Sequence, residues 1–168
     1  AKLSKFQIEF VLVDDGSSDD SAQRAQELMD GAFFPMHIIR QENRGLGAAR
    51  NTGIQQARGE WIALLDADDI WSADKLERMY EVIKGGDMDV VHHSMRAHGG
   101  GWNRRATSVQ QMEDVLLRGH APIPSASLIR TAVLQEVGGF SEDRAHHGAE
   151  DLHLWIRLLA RGKRFVSV

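Results

Sequence analysis

The stretch that decides the fold is residues 61–69, Trp-Ile-Ala-Leu-Leu-Asp-Ala-Asp-Asp. Its opening apolar run has the length and the boundaries of a buried strand. Carboxylates follow at once, at the place where alternating α/β proteins bind ligands, outside the carboxyl ends of parallel strands. Acids this close repel one another, and a hard divalent cation would compensate them while keeping waters and substrate phosphates as its other ligands. The stretch therefore predicts metal-assisted chemistry on a phosphorylated substrate.

Strands and helices alternate on both sides of this stretch. Apolar runs predict further strands, and stripes at helical spacing, bounded by Gly, Ser, Thr and Asp, predict the helices between them. Polar and glycine-rich segments at 96–105 and 141–148 are predicted to be loops, the first of them mobile. This alternation predicts a single α/β domain with a mostly parallel sheet and helices on both faces. The predicted strands are 10–13, 37–40, 61–65, 89–92, 127–130 and 165–168, and the longer predicted helices are 19–29, 45–57, 72–84, 108–118 and 150–161.

Composition excludes several classes of protein. The chain has 168 residues, a size that fits one domain, and its net charge of −4 does not suggest a nucleic-acid binder. It has no cysteine, which excludes disulfides, thiolate metal sites and a cysteine nucleophile. No apolar run approaches the roughly 20 residues of a membrane span. We expect a cytoplasmic protein, and attachment at the inner face of the membrane stays open.

Three further constellations could belong to one crevice. Asp14 and Asp15 end the first predicted strand and could accept hydrogen bonds from a nucleobase or a ribose, although an Asx turn with a helix N-cap explains them about equally well. Arg50, in the helix that follows a glycine turn, suits phosphate oxygens. Asp151, after Glu150, could act as a general base, although acids in a first helical turn also simply complement the helix dipole.

The histidines offer a rival interpretation as metal ligands. His92 and His93 are adjacent, as are His146 and His147, and His153 follows Glu150 closely. None of them shows the H-E-x-x-H spacing of a zinc site. We therefore favour loop or partly buried histidines.

Taken together, the motifs resemble the family 2 glycosyltransferases of GT-A (Rossmann-like) fold. Residues 11–19 look like the family's V-D-D-G-S-x-D nucleotide motif, and residues 43–53 are similar to its N-x-G-x-x-x-A-R-N-x-G helix. Residues 59–69 look like the segment that ends in the metal-binding D-x-D. Residues 137–140 and 150–158 resemble the G-G-F and E-D-x-x-L-W-x-R-L motifs. The motifs occur in the family's order and span nearly the whole chain.

The resemblance implies a metal-dependent inverting transfer of a sugar from a nucleotide-sugar donor, most simply a UDP-sugar, to an acceptor hydroxyl. The acceptor would be a carbohydrate or a lipid-linked molecule, as in polysaccharide or cell-wall biosynthesis; a homodimer is left open. The implied roles are nucleobase contact for Asp14 and Asp15, the diphosphate region for Arg50, ribose for Asp66, Mn²⁺ or Mg²⁺ for Asp68, and general base for Asp151.

The chain also departs from the family pattern. The family usually starts with a V-S-V-I-I-P-x-Y-N strand and turn and a helix, and this sequence begins after them. Residues 1–168 are therefore expected to be an N-terminally truncated GT-A catalytic domain, with an exposed sheet position where that first strand belongs. Two alternatives stay open: a catalytically inactive remnant that binds nucleotide-sugars, and, less favoured, a nucleotidyltransferase.

Overall fold

The computed structural model describes residues 7–29, 35–97 and 103–168. Strands and helices alternate along most of the chain, as the sequence predicts. The strands are β1 (Phe10–Asp14), β2 (Met36–Arg40), β3 (Trp61–Ala63), β4 (Val90–His92), β5 (Met95–Arg96), β6 (Asn103–Arg104), β7 (Ser127–Arg130) and β8 (Phe165–Ser167). The helices are α1 (Ser21–Met29), α2 (Leu46–Gln56), α3 (Lys75–Ile83), α4 (Met112–Leu116), α5 (Thr131–Glu136) and α6 (Glu150–Ala160).

The main sheet has four strands in the order β3-β7-β4-β8. Strands β4 and β8 are parallel, whereas β7 runs antiparallel to both β3 and β4. The prediction of a mostly parallel sheet is therefore only partly right, because the sheet is mixed. The difference arises at β7, which lies between β3 and β4 and runs antiparallel to both, with Ile129 opposite Ile62 and Val90.

Strands β1 and β2 form a separate parallel pair. In the described ranges this pair shares no ladder with the main sheet. The starts of β1 and β3 nevertheless lie together, because the Glu9 carboxylate accepts hydrogen bonds from the backbone N–H groups of Arg58 (2.5 Å) and Gly59 (2.9 Å). Between the two sheets runs a cavity of about 1450 Å³, here called the central cleft, which is lined by β1, α2 and β3 and by the residues that follow β3.

The hydrophobic core lies where α6 meets the main sheet. Leu154, Trp155 and Leu158 of α6 are fully buried, and they belong to the same apolar cluster as Val90 of β4 and Ile129 of β7. Trp155 of α6 thus lies in the core, whereas Leu152, Ile156 and Leu159 of the same helix pack against it and are only partly buried.

Two of the predicted loops contain regular structure. Residues 96–105 begin and end in the short antiparallel strands β5 and β6, and the predicted glycine-rich centre at 98–102 lies outside the described residues. The segment 141–148 contains a single 3₁₀ turn, Arg144–His146.

Helix α4 is shorter than predicted, since its first described helical residue is Met112. No helix of the described ranges is both long and apolar enough to cross a membrane.

The burial of α6 predicts which leucines carry the stability of the domain. Truncation of the fully buried Leu158 to Ala should lower the free energy of unfolding by about 2–5 kcal/mol, because it removes apolar contacts and leaves a cavity. The same truncation at Leu28, which is 82% exposed, should change it by less than about 0.5 kcal/mol. Urea denaturation of both variants measures the difference, and equal losses would contradict this position of the core.

Candidate active site

Four of the predicted donor-site residues line one end of the central cleft. They come from three separate segments: Asp15 follows β1, Arg50 belongs to α2, and Asp66 and Asp68 follow β3. Their convergence follows from the fold, because β1 and β3 start side by side and their carboxyl ends reach the same end of the cleft. The structure thus brings these four residues together, whereas Asp14 and Asp151 lie outside the lining of the cleft.

Asp66 forms an ion pair with Arg50 in this cluster. The Arg50 Nη2 atom lies 2.7 Å and 2.8 Å from the two carboxylate oxygens of Asp66. The Arg50 side chain is only 9% exposed, and its guanidinium lies over the Phe140 ring, 4.9 Å from the ring centroid. Part of the acidic charge after β3 is therefore compensated by the protein itself.

Asp68 differs from its neighbours. It is exposed, it lines the cleft, and among the described residues no hydrogen-bond or ion-pair partner is found for its carboxylate. Nor does the described part of the chain contain a group of three His, Asp or Glu side chains that could hold a metal. This donor set fits a cation of the Mg²⁺ type, which commonly takes one or two protein carboxylates and completes its shell with waters and substrate phosphates.

Asp15 contacts both the cleft and the start of α2. Its carboxylate accepts hydrogen bonds from the backbone N–H groups of Arg44 (3.0 Å) and Gly45 (2.8 Å) and from the side chain of Gln41 (2.7 Å). These bonds fix the glycine turn that opens the helix. The carboxylate is held rigidly beside the cleft, and its assigned contact with the nucleobase stays a prediction.

Asp14 does not line the cleft. It is 4% exposed, accepts a hydrogen bond from the Ser17 backbone at 2.8 Å, and forms an ion pair with Arg40 at 3.0 Å. The hydrogen bonds from Ser17 hold the pKa of Asp14 below its ordinary value, and the Arg40 charge adds to this. The turn explanation therefore accounts for the contacts of Asp14 in this structure.

Asp151 also lies outside the lining of the central cleft. It is half-buried in the first turn of α6, where its Oδ1 atom accepts the N–H of Leu152 at 2.7 Å. The adjacent Glu150 is buried next to Gly47 at the start of α2. A side chain at Gly47 would overlap the carbonyl oxygen of Ser141, so the segment before α6 can approach α2 closely only because this position is glycine.

Asn51 is a structural residue of the site to which the sequence analysis assigns no role. Its amide donates to the Phe140 carbonyl (3.0 Å) and to Glu142 (2.9 Å), and its oxygen accepts the Phe140 N–H at 2.7 Å. These bonds attach the segment after Gly139 to helix α2. Asn51 stands in the motif at residues 43–53, but its partner Phe140 lies 89 residues away. No local pattern in the sequence therefore predicts this contact.

Ser125, Trp71 and Lys75 form a second network that sequence reasoning missed. The Ser125 hydroxyl accepts the backbone N–H of Asp66 at 2.8 Å. The Ser125 carbonyl accepts hydrogen bonds from Trp71 Nε1 (2.9 Å) and from Lys75 Nζ (2.5 Å). A lysine in the first turn of a helix normally suggests a solvated side chain, whereas Lys75 is only 4% exposed.

The histidines form no metal centre in the described ranges. Burial lowers the pKa of His92 to about 4, with a further contribution from His93, so its imidazole is neutral at pH 7. His146 stacks on His153 with ring centroids 4.2 Å apart, and its Nδ1 lies 2.7 Å from the Ser141 hydroxyl. These contacts favour the interpretation of partly buried histidines.

Removal of the Asn51 amide should weaken the fold around the site. Asn51→Ala would leave the buried N–H and carbonyl of Phe140 without these partners, which should lower the free energy of unfolding by about 1–3 kcal/mol. Asn103→Ala, at an exposed residue of β6, is the matched control and should have little effect. Thermal unfolding measures both, and a neutral Asn51→Ala would contradict the proposed attachment.

Curated relatives match part of the chain. An uncharacterized glycosyltransferase of Nostoc sp. is 45% identical over 87 residues, which are 51% of this chain and 27% of that protein. The succinoglycan biosynthesis protein ExoO of Rhizobium meliloti is 45% identical over 74 residues, which are 44% of this chain and 21% of that protein. The chain thus matches well under half the length of these relatives.

Solved structures share the fold over nearly the whole chain. S. aureus TarS (residues 1–349) in complex with UDP has a TM-score of 0.78 at 22% identity, and the match covers 98% of this chain and 49% of that one. The mannosyltransferase PcManGT of Pyrobaculum calidifontis, in complex with GDP-Man and Mn²⁺, has a TM-score of 0.69 at 21% identity, over 95% of this chain and 45% of that one. At this identity the likeness shows the GT-A fold.

The family assignment rests on a match to a family profile that covers more than half of the chain. Residues 1–138 match the profile of the family described as Glycosyl transferase family 2. The match includes both strand ends that supply the acidic residues of the central cleft. This chain therefore belongs to glycosyl transferase family 2.

Proposed function

We propose that this chain is the catalytic domain of a metal-dependent inverting glycosyltransferase that moves a sugar from a nucleotide-sugar to an acceptor hydroxyl. The observation that carries the proposal is the convergence of Asp15, Arg50, Asp66 and Asp68 at one end of the central cleft. Family membership supports it, because the same residues stand in the family's nucleotide, arginine and D-x-D motifs.

We propose a UDP-sugar as the donor. TarS was solved with UDP and with UDP-GlcNAc, and PcManGT with GDP-Man, so proteins of this fold accept nucleoside-diphosphate sugars in this architecture. In our assignment Asp15 contacts the base and Asp66 the ribose. Arg50 lies beside Asp66, where its positive charge would favour the diphosphate.

Asp68 is the residue that we assign to Mn²⁺ or Mg²⁺. Its exposed and unpartnered carboxylate supports this assignment, because Asp15 and Asp66 are engaged by protein groups. A bound divalent cation would neutralise the negative charge that the leaving nucleoside diphosphate acquires. The Mn²⁺ in PcManGT is consistent with such a requirement.

Asp151 is the general base in this proposal. As the acceptor oxygen attacks the anomeric carbon, the bond from that carbon to the diphosphate oxygen breaks and the nucleotide leaves with the electron pair. The carboxylate takes the proton from the acceptor hydroxyl, which is otherwise a poor nucleophile. Its Oδ1 is engaged by the Leu152 N–H, so Oδ2 is the oxygen that would take the proton. One displacement inverts the anomeric carbon.

A nucleotide-sugar-binding protein without transfer activity is the second candidate. It is favoured by the lack of a ladder, within the described ranges, between the β1–β2 pair and the main sheet on either side of the central cleft. The two candidates differ in turnover, since both bind the donor. The acceptor would be a carbohydrate or a lipid-linked molecule in either case, and the name of ExoO supports a role in polysaccharide synthesis.

Nucleotide binding is the first test of the proposal. Calorimetric titration should show that UDP binds in the presence of Mn²⁺ and that binding weakens strongly without it. Asp68→Ala should abolish the effect of the metal, whereas Asp87→Ala, at a side chain that is 85% exposed, should leave it intact. GDP and dTDP serve as competitors that identify the base. Equal UDP affinity with and without metal would refute the role of Asp68.

Turnover tests the role of Asp151. Asp151→Asn should lower the transfer rate by about 10²–10⁴-fold while nucleotide affinity changes little, because the amide cannot accept the proton. Asp143→Asn, at an exposed acid of the segment that precedes α6, is the control. Loss of UDP affinity in Asp151→Asn would instead assign this residue to the donor site. Binding without any turnover in the unmodified protein would favour the second candidate.

A further inference from the structure

The backbone at the first aspartate of the D-x-D motif is held by a residue from a distant segment. The N–H of Asp66 donates to the Ser125 hydroxyl at 2.8 Å. Ser125 is 2% exposed and lies in the 3₁₀ turn Pro124–Ala126 that precedes β7. The position of Asp66 relative to Arg50 therefore depends on where this turn is held.

Lys75 binds the same turn, Pro124–Ala126, through the carbonyl of Ser125 rather than through its hydroxyl. Its ammonium donates to the Ser125 carbonyl at 2.5 Å and lies 3.9 Å from the centroid of the Trp71 ring, and Trp71 Nε1 donates to the same carbonyl at 2.9 Å. Burial of an ammonium costs free energy unless groups such as this carbonyl and this ring compensate the charge, since burial removes it from water. The Ser125 carbonyl and the Trp71 ring offset this cost at Lys75.

We propose that Lys75 is a positioning residue of the donor site, which fixes the Asp66 backbone through Ser125 and thereby orients the D-x-D segment toward the nucleotide and metal. Lys75 does not line the central cleft, so it acts through Ser125 and Trp71 rather than by touching the donor. The inference rests on the proposed function, because it assigns Lys75 to the proposed donor site.

The charge of Lys75 can change near neutral pH. Burial lowers its pKa to about 7, and the Asp69 carboxylate offsets this only in part. Among the described residues, His93 also interacts electrostatically with Lys75, and its own pKa is lowered by burial and, to a smaller extent, by Lys75. Lys75 is thus an ammonium below about pH 7 and a neutral amine above it. A charged donor makes the stronger hydrogen bond, so the hold on Ser125 should weaken as the pH rises through this range.

Hydrogen exchange at the Asp66 amide tests the inference directly. In Lys75→Met, which keeps the length of the side chain but removes its donor, exchange at this amide should become about tenfold faster, because a hydrogen bond from a charged group has been lost. UDP affinity with Mn²⁺, measured in the same preparations, should fall by a similar factor. Unchanged protection of Asp66 would overturn the proposal.

Lys163→Met is the matched control. Lys163 is also a mostly buried lysine, whose ammonium donates to the Glu136 carboxylate at 2.6 Å, but it does not line the central cleft. It should alter neither exchange at Asp66 nor UDP affinity. If Lys75→Met only lowers the melting temperature, with Asp66 protection and UDP affinity unchanged, then Lys75 is merely structural and the inference is wrong.

A second measurement covers a Lys75→Met variant that fails to fold. In the unmodified protein, Asp66 protection corrected for intrinsic exchange should fall as the pH rises through about 7, and a flat profile would overturn the inference. Ser125→Ala, which removes only the hydroxyl, should raise exchange at Asp66 at every pH. If the unmodified protein binds no nucleotide, the proposed function fails, and exchange at Asp66 still decides whether Lys75 positions that residue.

Discussion

The ion pair between Arg50 and Asp66 connects two parts of the molecule that share no strand pairing in the described ranges. Arg50 belongs to α2, which packs on the β1–β2 pair, whereas Asp66 follows β3 of the main sheet. Asn51, the next residue, bonds the segment that leads to α6. Side chains of α2 therefore connect the β1–β2 pair to the main sheet. The central cleft lies between these two sheets.

The same arrangement determines how charge is distributed in the site. Asp14 is paired with Arg40, Asp15 accepts backbone N–H groups at the start of α2, and Asp66 is paired with Arg50. Each of these acids is compensated by the protein without a metal. Asp68 and Asp69 have no described hydrogen-bond or ion-pair partner for their carboxylates, and Asp68 is the exposed one of the two, so we assign the cation to Asp68. A single protein ligand suits a cation that shares its shell with a diphosphate.

Rigidity around the site comes from buried polar contacts between segments far apart in sequence. Asn51 reaches Phe140, Lys75 reaches Ser125, and Arg157 of α6 donates to the carbonyls of Val137 and Gly139. Such contacts are stabilising only when every buried group finds its partner, because an unpaired buried polar group is costly. The acidic turn after β3 is thus held by a polar framework as well as by the apolar core under α6.

The sequence by itself determined the alternation of strands and helices, the family, and most of the residues that meet in the cleft. These features are local: apolar runs end at acids, and glycine and capping residues bound the helices. Only the tertiary structure decided that β7 is antiparallel, that Asp14 faces Arg40 rather than the cleft, and that Asn51 and Lys75 are buried. Their partners are distant in the chain, Ser125 lying 50 residues from Lys75 and Phe140 lying 89 from Asn51. Contacts over such separations arise from tertiary packing, and no periodic pattern in the local sequence predicts them.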